Sequence, residues 1–284
     1  MIARLDPPAV RAVVAAALAE DLGERGDVTT AAIVPQERRA AAHLVARSAM
    51  VVAGLPVARE VFAALDGEVI FRQLVAEGET AAPGERIATA VGRARALLEG
   101  ERTALNFLMR MCGIATASRA AVEEIRGTRA VVLDTRKTAP GLRLLDKYAV
   151  AAGGATNHRM GLYDAAMIKD THLRVAGPLE ACVAALLRRG LRRAAITVEV
   201  ESVEDLERAV SAGAGRALLD NMDLDLIRRC VERARGRIVL EASGGLQPGR
   251  LRAVAETGVD FLSVGWLTHS VRAADLALEL DPLD

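Results

Sequence analysis

The chain of 284 residues carries 37 lysine and arginine residues against 37 aspartate and glutamate residues, so its formal net charge is zero at pH 7. A neutral chain is not drawn as a whole to nucleic acid or to a membrane surface, and any site for an anion has to be local. Hydrophobic residues make up 51% of the chain and aromatic residues only 2%, so alanine, valine, leucine and isoleucine have to fill the core. The length allows two domains, or one large barrel with an appendage.

The three cysteines, Cys112, Cys182 and Cys230, are widely spaced and include no C-x-x-C pair. This spacing argues against a disulfide scaffold and against a structural zinc site. The N-terminal apolar run is too short to span a bilayer, is interrupted by acidic residues and lacks the cleavage site of a signal peptide. We therefore expect a cytoplasmic protein.

Residues 1–112 are predicted to form an N-terminal α+β domain. Its predicted elements are helices at residues 8–22 and 56–65, a polar turn at 26–30 and strands at 41–53 and 68–75. A long helix predicted over residues 100–126 places Arg102 in its first turn, where a cation opposes the helix dipole. This unfavourable position suggests a functional role for Arg102.

Residues 113–270 alternate short apolar runs with helical segments, which is typical of a parallel sheet closed as a barrel. The apolar runs predicted as strands are 130–133, 165–168, 195–198, 217–219, 238–240 and 261–264. A complete eight-fold barrel would need more strands than these. The predicted fold class is therefore α/β, with an incomplete parallel α/β barrel as the catalytic domain and an N-terminal α+β sandwich domain. Residues 271–284 are expected to pack on the N-terminal domain.

Charged residues follow the first two predicted strands of this barrel. The cations found there are Arg136, Lys137, Arg159 and Lys169. Any one pair of them could be solvated loop charges, but polar or glycine-rich residues recur at all six strand ends, where α/β barrels build their active sites. Because arginine grips carboxylates through two parallel hydrogen bonds, the pattern predicts a ligand with several negative charges.

Two acidic residues, Glu199 and Asp220, come at the ends of the next two predicted strands. They either neutralise the cations as ion pairs or hold Mg²⁺ that a pyrophosphate also coordinates. Glu201 is the alternative to Glu199, but its spacing puts it on the same side of the strand and beyond the strand end.

The last two predicted strands end in small residues, Ser243, Gly244 and Gly245 after one and Gly265 after the other. Turns of this kind offer backbone N–H groups to a phosphate. His158, His172 and His269 also lie near strand ends, but their spacing matches no zinc motif. Of these histidines, His158 is the best candidate for contacting a carboxylate.

Several blocks of the sequence, taken together and in order, resemble the quinolinate phosphoribosyltransferase family. They are DTRKTAPGLRLLDKYAV, GGATNHRMGLYDAAMIKDTH, TVEVES, LLDNM, LEASGG and SVGWLTHS, preceded by LAEDLGERGDVTT, VVAGLPVAREVF and ERTALNFLMRMCGIAT. The resemblance implies a barrel usually described with seven strands, of which a seventh has no clear place here. It also implies Mg²⁺ as cofactor, quinolinate and phosphoribosyl pyrophosphate as substrates, and a homodimer with shared active sites, which could assemble further.

The resemblance also implies a role for each candidate residue. The quinolinate pocket would consist of Arg136, His158, Arg159 and Lys169, joined by Arg102 from the partner chain. The phosphoribosyl pyrophosphate side would consist of Lys137, Glu199, Asp220, Ser243, Gly244, Gly265 and His269. Of these, Lys137, Glu199 and Asp220 are the expected catalytic residues, and Glu199 and Asp220 the expected metal ligands.

The sequence departs from the family pattern at Thr197, Ala155, Thr156 and Thr171, and none of these departures removes a charge from the predicted site. Three alternatives stay open. The chain could be a related phosphoribosyltransferase for another pyridine or heterocyclic acid. It could be an aldolase that forms a Schiff base at Lys169, or an anion-binding module without activity.

Overall fold

The computed structural model describes residues 5–283. They form two compact units. The first comprises residues 5–119, 138–154 and 267–283, and the second comprises Ala120–Lys137 and Ala155–Trp266. Each unit combines segments that are not consecutive in the chain. The predicted domain boundary after residue 112 therefore stays a prediction.

The first half of the chain contains both helices and short strands. In chain order its elements are α1 (Pro7–Leu22), α2 (Val28–Ile33), β1 (Arg39–Ala46), β2 (Met50–Val51), α3 (Leu55–Leu65), β3 (Ile70–Gln73), β4 (Thr80–Ala81), β5 (Arg86–Arg93) and α4 (Ala94–Glu124).

The second half alternates strands and helices. In chain order its elements are β6 (Val131–Leu133), α5 (Arg143–Ala152), β7 (Ala166–Ile168), α6 (Asp170–Ala176), α7 (Leu179–Arg188), a 3-10 turn (Arg193–Ala195), β8 (Ile196–Val200), α8 (Val203–Ala212), β9 (Arg216–Asp220), α9 (Leu224–Ala234), β10 (Val239–Ser243), α10 (Leu251–Ala255), β11 (Phe261–Ser263), α11 (Trp266–His269) and β12 (Leu276–Pro282).

The first unit is built on an antiparallel sheet that, within residues 5–283, has four strands in the order β12-β1-β5-β3. The C-terminal strand β12 pairs with β1 from Ala40 opposite Pro282 to Ala46 opposite Leu276. Buried valine, leucine and alanine side chains of β1, β5 and α3 make up much of the core, as the low aromatic content requires. No helix among the described residues is both long and apolar enough to cross a membrane.

The sequence predicts a polar turn at residues 26–30, but in the structure α2 begins inside this segment, at Val28. The Asp27 side chain is the helix cap, and its Oδ1 accepts hydrogen bonds of 2.9 Å from the backbone N–H groups of Thr29 and Thr30. Aspartate is a preferred N-cap residue because it satisfies N–H groups that have no partner within the helix. The cap therefore explains why a segment without apolar periodicity is helical.

The predicted position of Arg102 in a first helical turn is wrong. Helix α4 begins at Ala94, so Arg102 lies in the helix interior, where the dipole has little effect on it. Gly100, the predicted first residue of the helix, lies within it, at a point where neighbouring side chains leave little room for a Cβ. A Cβ at Gly100 would approach Phe62 Cδ1 to 2.9 Å and Leu65 Cδ1 to 3.0 Å.

The second unit is built on a parallel sheet, which among the described residues has six strands in the order β6-β11-β10-β9-β8-β7. The six predicted strands are therefore confirmed. Three of them extend further than their apolar runs, because β8 ends at Val200, β9 at Asp220 and β10 at Ser243. Glu199, Asp220 and Ser243 consequently belong to strands, and the pleat of the sheet fixes the direction of their side chains.

The two faces of this sheet differ in chemistry. One face presents only apolar side chains, including Val132, Val198, Leu219, Leu240 and Leu262. The opposite face carries the polar residues of the strands, which are Thr197, Glu199, Arg216, Asp220, Glu241, Ser243 and Ser263. An apolar face suits the packing of helices in an α/β fold, and the other face is available for chemistry.

A single residue stands where a further strand could begin. Thr156 forms an isolated parallel bridge with Leu133 of β6. The Thr156 N–H donates to Val132 O at 2.9 Å, and Thr156 O accepts from the Asp134 N–H at 3.1 Å. Within residues 5–283 this bridge is the counterpart of the missing strand, and it holds the segment that leads into His158 against the edge of the sheet.

A buried ion pair joins three helical segments of the first unit. Arg110 of α4 donates from Nε to Asp146 Oδ1 at 2.8 Å and from Nη2 to Asp146 Oδ2 at 2.7 Å. The Asp146 side chain of α5 is 0% exposed. Arg110 Nη2 also donates to Thr268 O in α11 at 3.2 Å, and the Ala139 N–H donates to Asp146 Oδ2 at 3.2 Å.

We expect Arg110→Ala to lower the free energy of unfolding by about 3–5 kcal/mol, because it leaves Asp146 as a buried charge without its cation. Denaturant unfolding at matched protein concentration measures this loss. The exposed pair of Arg126 and Glu123 supplies the control, and Glu123→Gln should change stability by less than about 0.5 kcal/mol. Equal stabilities for Arg110→Ala and Glu123→Gln would contradict a structural role for the buried pair.

Candidate active site

The segment after β6 and the segment around His158 are joined by a buried carboxylate. Asp134 is 0% exposed, and its Oδ1 accepts a hydrogen bond of 2.7 Å from the backbone N–H of His158. The next residues form a tight turn in which the Lys137 N–H donates to Thr135 Oγ1 at 3.1 Å. Arg136 is half-buried in this turn and Lys137 is exposed. Asp134 therefore brings two predicted site segments together.

Both ring nitrogens of His158 have contacts within the second unit. Nδ1 lies 2.7 Å from the backbone N of Arg159, whose N–H donates to it, and Nε2 lies 3.1 Å from Oε1 of Glu241. Both hydrogen bonds form together in the tautomer that carries its proton on Nε2. A substrate carboxylate that binds at the His158 ring would have to replace one of these two contacts.

Arg159 is fixed at its guanidinium group and is affected by the charge of a second arginine. Its Nη1 donates to Ala165 O at 2.7 Å. Burial and the positive charge of neighbouring Arg136 lower the pKa of Arg159 below its ordinary value, against the opposing effects of Asp164 and Glu241. Two guanidinium groups that repel each other are stabilised by an anion placed between them. This pair is the clearest sign of an anion site in the second unit.

Lys169 and Glu199 form a direct ion pair. Lys169 Nζ lies 2.6 Å from Glu199 Oε2, and the Glu199 side chain is only 9% exposed. Backbone contacts also fix Lys169, whose N–H donates to His172 Nδ1 at 3.0 Å. The resemblance assigned Lys169 to one substrate and Glu199 to the other, and the structure joins them. Glu201, in contrast, lies exposed beyond the end of β8, which keeps Glu199 as the preferred candidate.

The ends of β9 and β10 approach each other closely at Asp220 and Ser243. The Asn221 N–H donates to Ser243 O at 2.9 Å, and Asn221 Nδ2 donates to Asp220 Oδ2 at 2.8 Å. Gly244 has a φ of +86°, and a Cβ there would lie 2.2 Å from Asn221 Oδ1. Glycine is therefore required at this position. A cavity of about 600 Å³ lies beside the corner and is lined in part by Ser243, Gly244 and Asp223.

Glu241, which the sequence did not single out as a site residue, is a buried carboxylate of the second unit with three side-chain partners. It lies within β10 and is 0% exposed. Besides His158, it accepts hydrogen bonds from Ser263 Oγ at 2.5 Å and from Arg216 Nη1 at 3.0 Å. The sequence signals were its position directly after the predicted strand 238–240 and its two-residue spacing from Ser243. Its partners come from three other parts of the chain, so the sequence did not indicate them.

The candidate metal ligands are few. Among residues 5–283 no group of three or more histidine, cysteine, aspartate or glutamate side chains could hold a metal ion. Mg²⁺ commonly binds through one or two carboxylates and completes its shell with phosphate oxygens and water. Glu199 and Asp220 fit that limited role, and they would hold an ion that also binds the substrate.

The remaining predicted residues lie at helix and strand ends. Gly265 follows β11 in the second unit, next to Val264, whose N–H donates to Leu133 O at 2.9 Å. Arg102 and His269 belong to the first unit, and both are exposed. His269 Nδ1 is 2.6 Å from Ser270 Oγ.

Comparisons with known proteins agree with the resemblance found in the sequence. The N-terminal domain of quinolinate phosphoribosyl transferase matches residues 27–112, and its C-terminal domain matches residues 114–279. The chain is 42% identical to the probable nicotinate-nucleotide pyrophosphorylase [carboxylating] of Bacillus subtilis, over 92% of this chain and 90% of the relative. It is 39% identical to the chloroplastic nicotinate-nucleotide pyrophosphorylase [carboxylating] of Oryza sativa, over 97% and 80%.

Solved structures match over nearly the whole chain. The structure of NadC from Streptococcus pyogenes matches with a TM-score of 0.94 and 36% identity, over 99% of this chain and 100% of that one. The nicotinate-nucleotide pyrophosphorylase of Francisella tularensis matches with a TM-score of 0.92 and 34% identity, over 99% of each chain. The predicted fold class is confirmed, and the chain belongs to the quinolinate phosphoribosyl transferase family.

Proposed function

We propose that the protein is a phosphoribosyltransferase that joins quinolinate to the phosphoribosyl group of phosphoribosyl pyrophosphate. The products are nicotinate mononucleotide, pyrophosphate and CO₂, which comes from the 2-carboxylate of quinolinate. Family membership supports this reaction, and the observation that carries it is that the positive charge of Arg136, after burial, lowers the pKa of Arg159. Two guanidinium groups whose charges act on each other suit a substrate with two carboxylates.

The chemistry requires alignment more than covalent participation. The pyridine nitrogen attacks C1 of the ribose and the bond to pyrophosphate breaks. Once CO₂ has left, the positive charge of the pyridinium nitrogen stabilises the electron pair that remains on C2, and C2 then takes up a proton from water. Arg136, Arg159 and Lys169 would hold the quinolinate carboxylates, with His158 in support. Because both substrates are anions that repel each other, holding them together at the correct distance is the main contribution of the protein.

The phosphoribosyl pyrophosphate would bind at the ends of β8 to β11. Lys137, Glu199 and Asp220 would face its pyrophosphate, and Ser243, Gly244 and Gly265 its phosphate. Mg²⁺ held by Glu199 and Asp220 would neutralise charge on the leaving pyrophosphate. The corner formed by Asp220, Asn221 and Ser243 supports this assignment, since one backbone and one side-chain hydrogen bond hold it in place.

The ion pair of Lys169 and Glu199 suggests how the two substrate sites communicate. Lys169 Nζ is 2.6 Å from Glu199 Oε2, so the charge of each residue is compensated without a ligand. A quinolinate carboxylate would compete with Glu199 for Lys169, and Glu199 would then be available to the metal. Each residue thus has a partner in both states, which avoids an uncompensated charge at any step.

The alternative functions have less support. A Schiff-base lysine has to attack a carbonyl carbon with its amine, whereas Lys169 Nζ is in contact with Glu199 Oε2 at 2.6 Å. A related enzyme for another pyridine or heterocyclic acid would need a different charge pattern in its pocket. The cytoplasmic location stays a prediction, as does assembly into a dimer with shared sites.

Quinolinate should be a far better substrate than nicotinate. Removing one carboxylate leaves a cation of the pocket without its partner, and such a loss costs about 2–5 kcal/mol. We therefore expect kcat/KM for nicotinate to be lower by a factor of roughly 30 or more. The measurement is formation of nicotinate mononucleotide from each acid with phosphoribosyl pyrophosphate and Mg²⁺. Equal use of the two acids would refute the quinolinate assignment.

Substitution of Glu199 or Asp220 should distinguish the two half-sites, one for quinolinate and one for phosphoribosyl pyrophosphate. Glu199→Ala and Asp220→Ala should raise KM for phosphoribosyl pyrophosphate at least tenfold, with a smaller effect on quinolinate binding, because they act on the metal side. Calorimetric titration with quinolinate alone, followed by steady-state kinetics, measures both effects. Glu201→Ala is the matched control, since Glu201 is exposed beyond β8. Loss of quinolinate binding alone would mean that the two half-sites are exchanged.

The shared-site dimer is tested by complementation. If Arg102 serves the site of the partner chain, Arg102→Ala should fold and dimerise but lose activity. Mixing it with inactive Lys137→Ala should restore part of the activity, because a heterodimer then contains one site with both intact residues. Arg126→Ala, which removes an exposed arginine, is the control and should stay active. If verified subunit exchange restores nothing, Arg102 does not serve the partner.

A further inference from the structure

We infer that Glu241 is a positioning residue for quinolinate. It acts through His158 on Arg159, the next residue in the chain. The inference rests on the proposed function and deepens it. Glu241 itself would touch neither the substrate nor the metal. It would fix the imidazole ring of His158, which in turn holds the backbone N–H of Arg159.

The surroundings of Glu241 leave it no access to a ligand. Its side chain is 1% exposed, and both of its oxygens are engaged. Oε1 accepts from His158 Nε2 at 3.1 Å and from Ser263 Oγ at 2.5 Å, while Oε2 accepts from Arg216 Nη1 at 3.0 Å. The carboxylate thus joins β9, β10 and β11 to the segment that contains His158.

Glu241 is an ionised group in this environment. Burial acts to raise the pKa of Glu241, but the hydrogen bond and electrostatic attraction of His158, the hydrogen bond from Ser263 and the positive charge of Arg216 outweigh it and hold the pKa below its ordinary value. Arg216 is also positioned by an aromatic ring, since its Cζ lies 4.5 Å from the centre of the Phe261 ring. Replacing a buried ion pair by apolar residues of similar volume often leaves a protein equally stable. Stability alone therefore does not explain why Glu241 and Arg216 are buried here.

The reason lies in what His158 holds. The backbone N–H of His158 donates to Asp134, and its Nδ1 accepts from the backbone N–H of Arg159. Arg159 then reaches Ala165 O through its guanidinium group. Each bond in this series fixes the next group, and the series begins at Glu241. A shift of about 1 Å at Arg159 would be enough to weaken the alignment of its carboxylate ligand strongly.

The wild-type protein offers a test that needs no substitution. The chain contains four histidines, so the ¹⁵N signals of their side chains can be assigned by removing them one at a time. At neutral pH we expect His158 to be the tautomer with the proton on Nε2, as the donor from Arg159 requires. A proton on Nδ1 would overturn the inference, because the bond from Arg159 could not then exist.

The kinetic test is Glu241→Gln, which keeps the shape of the side chain and removes its charge. We expect KM for quinolinate to rise at least tenfold while KM for phosphoribosyl pyrophosphate changes less than twofold. The control is Glu256→Gln, which alters an exposed glutamate of the same unit that pairs with Arg252 at 2.8 Å and should change neither constant. Ser263→Ala removes only one bond to Glu241. Its effect should be smaller, two- to fivefold, and again confined to quinolinate, which provides a test even if Glu241→Gln does not fold.

A double-mutant cycle separates positioning from direct contact. In the His158→Asn background, Glu241→Gln should change KM for quinolinate less than twofold, because its route to the substrate has been removed. A full tenfold effect in that background, or an equal rise in both KM values, would overturn the inference. If the wild-type protein does not use quinolinate at all, the proposed function fails instead, and the tautomer of His158 still decides whether the network is correct.

Discussion

The ionic residues buried on one face of a parallel sheet are the constraint on which the second unit depends. Glu241 is 0% exposed at the centre of that face, and a carboxylate in such a place is stable only if its oxygens are fully bonded. Residues from neighbouring strands and from the segment beside β6 supply those bonds. The contact with His158 that helps to satisfy the charge also holds the segment that carries Arg159.

The pleat of the sheet gives this arrangement its direction. Glu199, Asp220 and Ser243 lie on strands whose opposite face is apolar, so their side chains are bound to share one side of the sheet. Side chains on strands are placed more rigidly than side chains on loops. The candidate catalytic acids are therefore on the rigid part of the molecule. Arg136 and Lys137, in contrast, lie in a loop that is fixed by backbone hydrogen bonds and by Asp134.

Much of the fold could be predicted because its signals are local. Six short apolar runs were sufficient to identify six strands, and charge at their ends was sufficient to indicate a site. Local signals were misleading where packing determines the residue type. Gly100 looked like the start of a helix, but it lies inside one, where Phe62 and Leu65 come too close for a larger residue. The position of Arg102 relative to the helix dipole was wrong for that reason.

Contacts through space were the part that the sequence could not give. Nothing local connects His158 with Glu241, which are 83 residues apart, or Lys169 with Glu199, which are 30 apart. The isolated bridge at Thr156 was equally hidden, because a single residue has no periodicity. Family resemblance assigned roles to His158, Lys169 and Glu199, but it did not indicate that Glu241 contacts His158.

The central claim is that the basic residues at the strand ends bind a dicarboxylate whose 2-carboxylate is lost only after the phosphoribosyl group has been transferred. The most direct measurement is release of labelled CO₂ from quinolinate labelled at the 2-carboxylate, with and without phosphoribosyl pyrophosphate. The account predicts one CO₂ for each nicotinate mononucleotide formed, and none when phosphoribosyl pyrophosphate is omitted. Release of CO₂ from quinolinate alone, or a nucleotide that retains the label, would contradict it.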